Sequence, residues 1–326
     1  MLYESKLESL SYDDVLLLPQ HSEVPSRDSV NLFNKDGYIP IFSAPMKNIS
    51  GADLVIQLGK LGSVGILHRF FKHSYKRYDA IDNISQYNIN YGISVSLQDW
   101  INELKFIEYS VNKGCKFVVL DSANAYLQIV LDAVKRLYDF RKNIHADFKI
   151  ISGNVVDHLG CYDIAKAGAD MIRVNIGTGL QCLTSKSIGI GCPSLTAIRD
   201  CAFIHKNYPE VKLLADGGIY TPGDALKALT FGSDGIMIGS LFGRAKEAKN
   251  KGVIFGMSSY TLQERMNKSK KSNEGKVTKF SKKEIRPLEE IFSEFAYGLK
   301  SGLSQLGCND INKLHDTDIE YIRVNK

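Results

Sequence analysis

Short apolar, β-branched runs recur along the chain. Between them, apolar residues return at helical spacing with charges interposed. The runs are Ile39–Ala44, Ser63–His68, Gly92–Ser96, Lys116–Asp121, Phe148–Asn154, Asp170–Asn175, Val211–Asp216 and Asp234–Gly239. Their near-continuous apolar character fits strands buried on both faces. Intervening segments such as Asp99–Val111 and Ala123–Lys142 read as amphipathic helices. Eight strand–helix units predict an α/β protein of the (β/α)8 barrel class, a TIM barrel. An open doubly wound sheet is the structural alternative. It usually carries GxGxxG after its first strand, and that motif is missing here.

The pattern divides residues 1–326, taken as one barrel domain, into unequal parts. Residues 1–38 form an N-terminal arm. Residues 251–284 are a polar, Lys-rich stretch after the eighth strand, expected to be a mobile active-site flap. Residues 285–326 supply a final helix, about Arg286–Gln305, and a tail. The second and third runs are too close to admit an inserted regulatory domain. A barrel carries its site at the C-terminal strand ends. Those ends are Ser43, His68, Ser96, Asp121, Asn154, Asn175, Asp216 and Gly239.

Composition narrows the class. With 44% hydrophobic and 24% charged residues, the chain reads as globular, not disordered or coiled-coil. No apolar run approaches the roughly 18 residues of a membrane helix. The opening MLYESKLESLSYDD is polar and acidic, so a cytoplasmic location is expected. None of the six cysteines forms a CxxC pair, and the histidines do not cluster with them, which argues against zinc. Charge is uneven. Residues 265–286 hold nine Lys or Arg against two Glu, which exceeds the chain's net +5. Such a stretch suits a solvated loop or a loop closing on phosphate. With Phe280 as its only aromatic, nucleic acid is the less favoured partner.

Candidate chemistry concentrates in the loop after the sixth run, Asn175-Ile-Gly-Thr-Gly-Leu-Gln-Cys182-Leu-Thr184. Its glycines permit tight turns that expose backbone N–H and C=O groups. A cysteine in such a loop sits where a ligand would be, among donors able to favour a thiolate. The bland alternative is a surface loop with an incidental cysteine. Gly-containing turns at Asp216-Gly217-Gly218 and Gly239-Ser240 end the seventh and eighth runs. In a barrel these positions form the usual phosphate site. Asp216 is placed to hold ribose hydroxyls, although alone it would pass for a helix cap.

The chain closely resembles the IMP dehydrogenase / GMP reductase family. The likeness is carried by Leu10-Ser-Tyr-Asp-Asp-Val-Leu-Leu-Leu-Pro19, Ser43-Ala-Pro-Met46, Ser152-Gly-Asn-Val155, Gly177-Thr-Gly-Leu-Gln-Cys182-Leu-Thr184, Ala215-Asp-Gly-Gly218, Gly256-Met-Ser258 and Glu274-Gly275. The resemblance implies a (β/α)8 barrel with Cys182 as the nucleophile that attacks C2 of a purine and forms a thioimidate. Thr184 and Glu274 match the proton-transfer residues. Asp216, Gly217, Gly218, Gly239, Ser240, Gly256, Met257, Ser258 and Gly275 match nucleotide contacts. Arg69, Asp121, Ser122, Ala123, Ile176 and Gly177 match positions near a nicotinamide cofactor. Ser26 and Arg27 match a cofactor-contacting pair from a neighbouring subunit, and the family implies a homotetramer. The carbonyls of Gly177, Gly179 and Cys182 match a potassium site.

Within the family, the resemblance favours NADPH-dependent GMP reductase, which converts GMP to IMP and ammonia. The stretch Tyr260–Glu274 lacks the Arg-Tyr pair with which dehydrogenases activate water, and Ser272-Asn-Glu-Gly-Lys276 and Ile188-Gly-Ile-Gly-Cys-Pro193 resemble the reductase loops. The alternatives are an IMP dehydrogenase lacking its regulatory domain, an enzyme of a modified purine nucleotide, and a non-catalytic nucleotide- or RNA-binding relative. Leu180 and Lys47 stand where the family usually carries Ser and Asp.

Overall fold

A computed structural model describes residues 7–179, 182–248, 252–256 and 275–324. In chain order its strands are β1 (Val15–Leu17), β2 (Ile41–Ser43), β3 (Gly65–Leu67), β4 (Tyr91–Val95), β5 (Phe117–Leu120), β6 (Lys149–Val155), β7 (Met171–Val174), β8 (Lys212–Asp216), β9 (Gly235–Ile238), β10 (Val253–Phe255), β11 (Val277–Lys279) and β12 (Tyr321–Arg323). Strands β2 to β9 correspond to the eight apolar runs. They pair in parallel in the order β2-β9-β8-β7-β6-β5-β4-β3. The ring closes where Phe42 bridges Val64, with Ser43 N and Val64 N donating to Val64 O and Ile41 O at 3.1 Å each. This is a (β/α)8 TIM barrel.

The continuous apolar runs follow from two buried faces with a period of two. Phe42, Val64, Ile66, Phe117, Val119, Ile151, Met171, Leu214 and Met237 fill the interior. Their chain neighbours, among them Ile41, Val118, Ile150, Ile172, Leu213 and Ile236, pack outward under the helices. Near the N-terminal end, the rings of Tyr38, Phe42 and Phe117 meet edge to face at 5.4 to 5.8 Å. The same parity, carried toward the C-terminal ends, brings Asp121, Arg173, Asp216 and Gly239 inward. The interior therefore passes from an apolar plug to a polar mouth. Gly65 lets helix Ala52–Lys60 approach closely, since a Cβ there would lie 2.5 Å from the Val55 Cα.

Local signals set the helix ends. Asp157 caps helix His158–Ala167 by accepting from Gly160 N at 2.7 Å, and Gly168 ends it at φ 108°. The helix expected from Ala123 begins instead at Gln128. Asn124 Oδ1 accepts from Tyr126 N at 3.0 Å, and Ala125 N donates to Asn154 O, so the intervening residues form a turn tied to β6. Two antiparallel pairs lie outside the barrel. β1 pairs with β12, and β10 pairs with β11 at the two roots of the expected flap.

Ser43 departs from its expected place at the mouth. It points away from the interior, where its hydroxyl lies 2.5 Å from that of Ser50 and accepts from Ile66 N at 2.9 Å. Parity explains this, because Phe42 takes the inward position.

Candidate active site

The loop after β7 carries Cys182 back over the barrel mouth. Cys182 N donates to Gly179 O at 2.9 Å, and its Sγ lies 3.2 Å from Thr184 Oγ1 as donor. Cys182 also forms an antiparallel bridge with Gly275, just before β11. Gly256, at the end of β10, donates its N–H to Lys276 O at 2.9 Å. The thiol, the Thr184 hydroxyl and both roots of the flap are thus assembled together. Met257, Ser258 and Glu274 lie outside the described residues, as does Leu180.

The Gly turn after β8 adjoins this loop. Gly217 and Gly218 have φ of 98° and 77°, and a Cβ on Gly217 would lie 3.3 Å from Gly179 N. Gly239 abuts Met46, whose Sδ would be 2.9 Å from a Cβ there. Ser240 follows directly, and its carbonyl accepts from Gly243 N. Helix Pro222–Thr230 then starts from a capping box of Thr221 and Asp224. Loop, turn and helix N-terminus are the arrangement that receives a phosphate in a barrel.

An ionic chain crosses the mouth. Arg69 Nε donates to Asp121 Oδ2 at 2.9 Å. Arg173 lies 3.7 Å from Asp121 Oδ1 through Nη1, and donates to Asp216 Oδ2 through Nε at 3.0 Å and Nη2 at 2.7 Å. Asn154 Nδ2 adds a bond to the same Oδ2 at 3.0 Å. Among the described residues all three of these bonds fall on Oδ2 of Asp216. Arg173 is 7% exposed, and its Nη1 has no hydrogen-bond partner among the described residues. Sequence reasoning did not single out Arg173. The available signal was a charged side chain at an inward position of an otherwise apolar strand.

The remaining expected positions are less uniform. Ser122 donates to Asn124 O at 2.6 Å, and Ala123 is exposed beside it. Ile176 O accepts from Cys192 N, Gly177 O from Ser185 Oγ at 3.2 Å and Gly179 O from Cys182 N. Ser26 and Arg27 sit on the outer wall, with Arg27 over the Tyr297 ring at 5.2 Å on helix Leu288–Gln305. Within one chain they belong to that wall and not to the Cys182 loop. The Cys192 thiol is pushed up by burial and then by Asp200 and Asp157, which keeps it protonated. Among the described residues no cluster of His, Cys, Asp and Glu could hold a metal, and no helix is long and apolar enough to cross a membrane.

Comparison with known proteins bears directly on this arrangement. The family described as the IMP dehydrogenase / GMP reductase domain matches residues 9–326. A GMP reductase of Oceanobacillus iheyensis is 30% identical, over 96% of this chain and 95% of its own. A GMP reductase of Lacticaseibacillus casei is 29% identical, over 98% and 96%. An inosine-5'-monophosphate dehydrogenase of Borreliella burgdorferi is 26% identical, over 94% and 92%.

Proposed function

The chain belongs to the IMP dehydrogenase / GMP reductase family, and from that premise we propose that it is an NADPH-dependent GMP reductase. Members of this family are oxidoreductases acting on purine nucleotides. The observation that carries the reading is the 3.2 Å contact of Cys182 Sγ with Thr184 Oγ1 beside the Cys182–Gly275 bridge. It pairs a nucleophile with a proton carrier at the root of the segment that bears Glu274.

In this reading the Cys182 thiolate adds to C2 of GMP. Thr184 and Glu274 pass a proton to the departing amine, and loss of ammonia leaves a thioimidate. NADPH, when bound, supplies the hydride that reduces C2. The C2–S bond then breaks, returning the thiolate and releasing IMP. Asp216 holds the ribose hydroxyls, and Arg173 fixes its carboxylate through two donors that converge on Oδ2. Gly217, Gly218, Gly239 and Ser240 receive the phosphate. Arg69, Asp121, Ser122 and Ala123 face the cofactor, while Ser26 and Arg27 reach it only from a neighbouring copy, which makes the enzyme a homo-oligomer. The carbonyls of Gly177, Gly179 and Cys182 suit a monovalent cation. Among the described residues, those of Gly177 and Gly179 each accept one bond, which leaves a second lone pair.

The test is a paired assay. GMP with NADPH should give NADPH loss and ammonia, and Cys182→Ala should lower the rate at least about a thousandfold. NADH formation from IMP, NAD and potassium would move the activity to the dehydrogenase. Retained turnover in Cys182→Ala would overturn the covalent mechanism.

A further inference from the structure

The N-terminal segment lies against both ends of the Cys182 loop, bonded at one and merely adjacent at the other. At the exit, Leu10 O accepts from Leu195 N at 3.0 Å and Thr196 N at 3.1 Å, and Leu10 N donates to Thr196 Oγ1 at 2.7 Å. These bonds hold helix Ser194–Cys201, into which the loop runs. At the entrance stands Asn175, whose backbone is fully tied. Its N donates to Val155 O at 2.9 Å, and its O accepts from Asn154 Nδ2 at 2.8 Å. Its side chain is held less firmly. It is 2% exposed, yet neither Oδ1 nor Nδ2 has a hydrogen-bond partner among the described residues. Its φ of 103° is uncommon for any residue with a Cβ.

Tyr12 lies beside that amide, with Ser194 also at hand. It is 5% exposed, and its hydroxyl faces Asn175 and Ser194 without completing a hydrogen bond of ordinary geometry among the described residues. Its ring rests on the phosphate turn. A Cβ on Gly218 would lie 3.2 Å from Tyr12 Cε2 and 3.3 Å from Thr178 O. Lys227 Nζ fixes the other side by donating to Tyr12 O at 2.7 Å. One residue therefore touches the phosphate turn with its ring and the root of the Cys182 loop with its hydroxyl. Neighbouring buried polar groups left unpaired, together with a rare backbone conformation, mark a place with a second arrangement close by.

We propose that Tyr12 is a positioning residue that couples phosphate at the Gly217-Gly218 turn to the loop bearing Cys182. An anion seated on the turn shifts Gly218 against the ring, and the hydroxyl closes onto the Asn175 amide. The loop root then holds one arrangement, and Cys182 is presented to the substrate. The inference rests on the proposed phosphate site, but not on GMP as the substrate. Sequence offered no sign of it, because the three groups lie far apart in the chain.

The experiment follows alkylation of Cys182 by iodoacetamide, read by mass spectrometry of its peptide. Wild type, Tyr12→Phe, Asn175→Gly and the double variant are compared with and without inorganic phosphate. In wild type, phosphate should change the rate by about fivefold or more. In Tyr12→Phe and Asn175→Gly the change should fall below about twofold while calorimetry still detects phosphate, and the double variant should lose nothing further. A direct electrostatic effect of phosphate on the thiol would survive in Tyr12→Phe, so a full response there overturns the proposal. No response in wild type also overturns it, and absence of phosphate binding in every variant overturns the phosphate site with it. If Tyr12→Phe fails to fold, Asn175→Gly decides alone, since glycine accepts the positive φ. A response that behaves as expected in a protein inert toward GMP would leave the coupling standing and remove only the GMP reading.

Discussion

The two ends of the barrel use the same residue types in opposite ways. At the N-terminal end, Asp170 Oδ2 accepts from Ile150 N at 2.7 Å and from Arg141. Asp234 Oδ2 accepts from Leu213 N at 2.8 Å, with His205 and Lys212 completing its shell. Each carboxylate is bound to the backbone of the adjacent strand. At the C-terminal end, Asp121 and Asp216 are held by the side chains of Arg69, Arg173 and Asn154. A carboxylate anchored on backbone N–H groups is part of the fold. One held only by side chains can exchange a partner for a ligand. Opposite-charge networks at the two ends therefore predict different phenotypes.

The largest effect belongs to Arg173. Arg173→Met leaves the half-buried Asp216 and Asp121 without their common cation, which costs about 3 kcal/mol. Activity should vanish and the melting temperature should fall in the same variant. Arg173→Lys keeps the charge but loses the two-donor grip on Asp216 Oδ2. It should retain most stability while kcat/KM drops about tenfold or more. Equal losses of stability in the two variants would show that the mouth network is structural, like its counterpart at the other end.

Asp216→Asn and Asp234→Asn test the contrast directly. The first should lower kcat/KM, with a smaller fall in melting than Arg173→Met because the amide oxygen still accepts from Arg173. The second should cost about 1–3 kcal/mol with kcat intact, because the amide keeps one acceptor for Leu213 N but loses the charge and second oxygen that pair with His205 and Lys212. Burial alone would raise the Asp234 pKa. The bond and charge of His205, the charge of Lys212 and the Leu213 N–H outweigh it and hold the carboxyl below its usual range. A depressed folded pKa contributes stability above the unfolded pKa and loses it as pH falls through the folded one. Wild type should therefore lose this increment below about pH 4. Asp234→Asn should show a flatter stability profile there by chemical denaturation at graded pH.

How far the sequence revealed all this depends on the range of the interactions. The eight strands were legible because two-faced burial writes a continuous apolar run, as in Phe117–Leu120. Cys182 and Asp216 were legible because glycines surround them. Arg173 carries no motif signal, since it lies within its strand and not at the end, although strand parity alone brings it inward. The pairing of β1 with β12 left no local trace, since Leu16 and Ile322 remain half exposed and their partners are at opposite ends of the chain. The turn at Asn124 was obscured by helix-compatible neighbours until its side-chain bond to Tyr126 N was seen.

The smallest effect sharpens the comparison most, because it separates location from bonding type. Thr221 stands at the C-terminal end of the barrel, near the Gly217-Gly218 turn. Its bonds nevertheless resemble those at the opposite end. Its Oγ1 accepts from Asp224 N at 3.1 Å, and Asp224 Oδ2 accepts from Thr221 N at 2.9 Å. If bonding type decides the phenotype, Thr221→Ala should behave like Asp234→Asn in kind though not in size. It should cost about 1 kcal/mol, or about 2 °C in melting temperature, with kcat/KM unchanged within twofold. Thr221→Ser should restore the loss, since serine caps as well as threonine does. A large fall in kcat/KM without a melting shift would mean that location governs instead, and that any polar group at this end of the barrel serves the ligand before the fold.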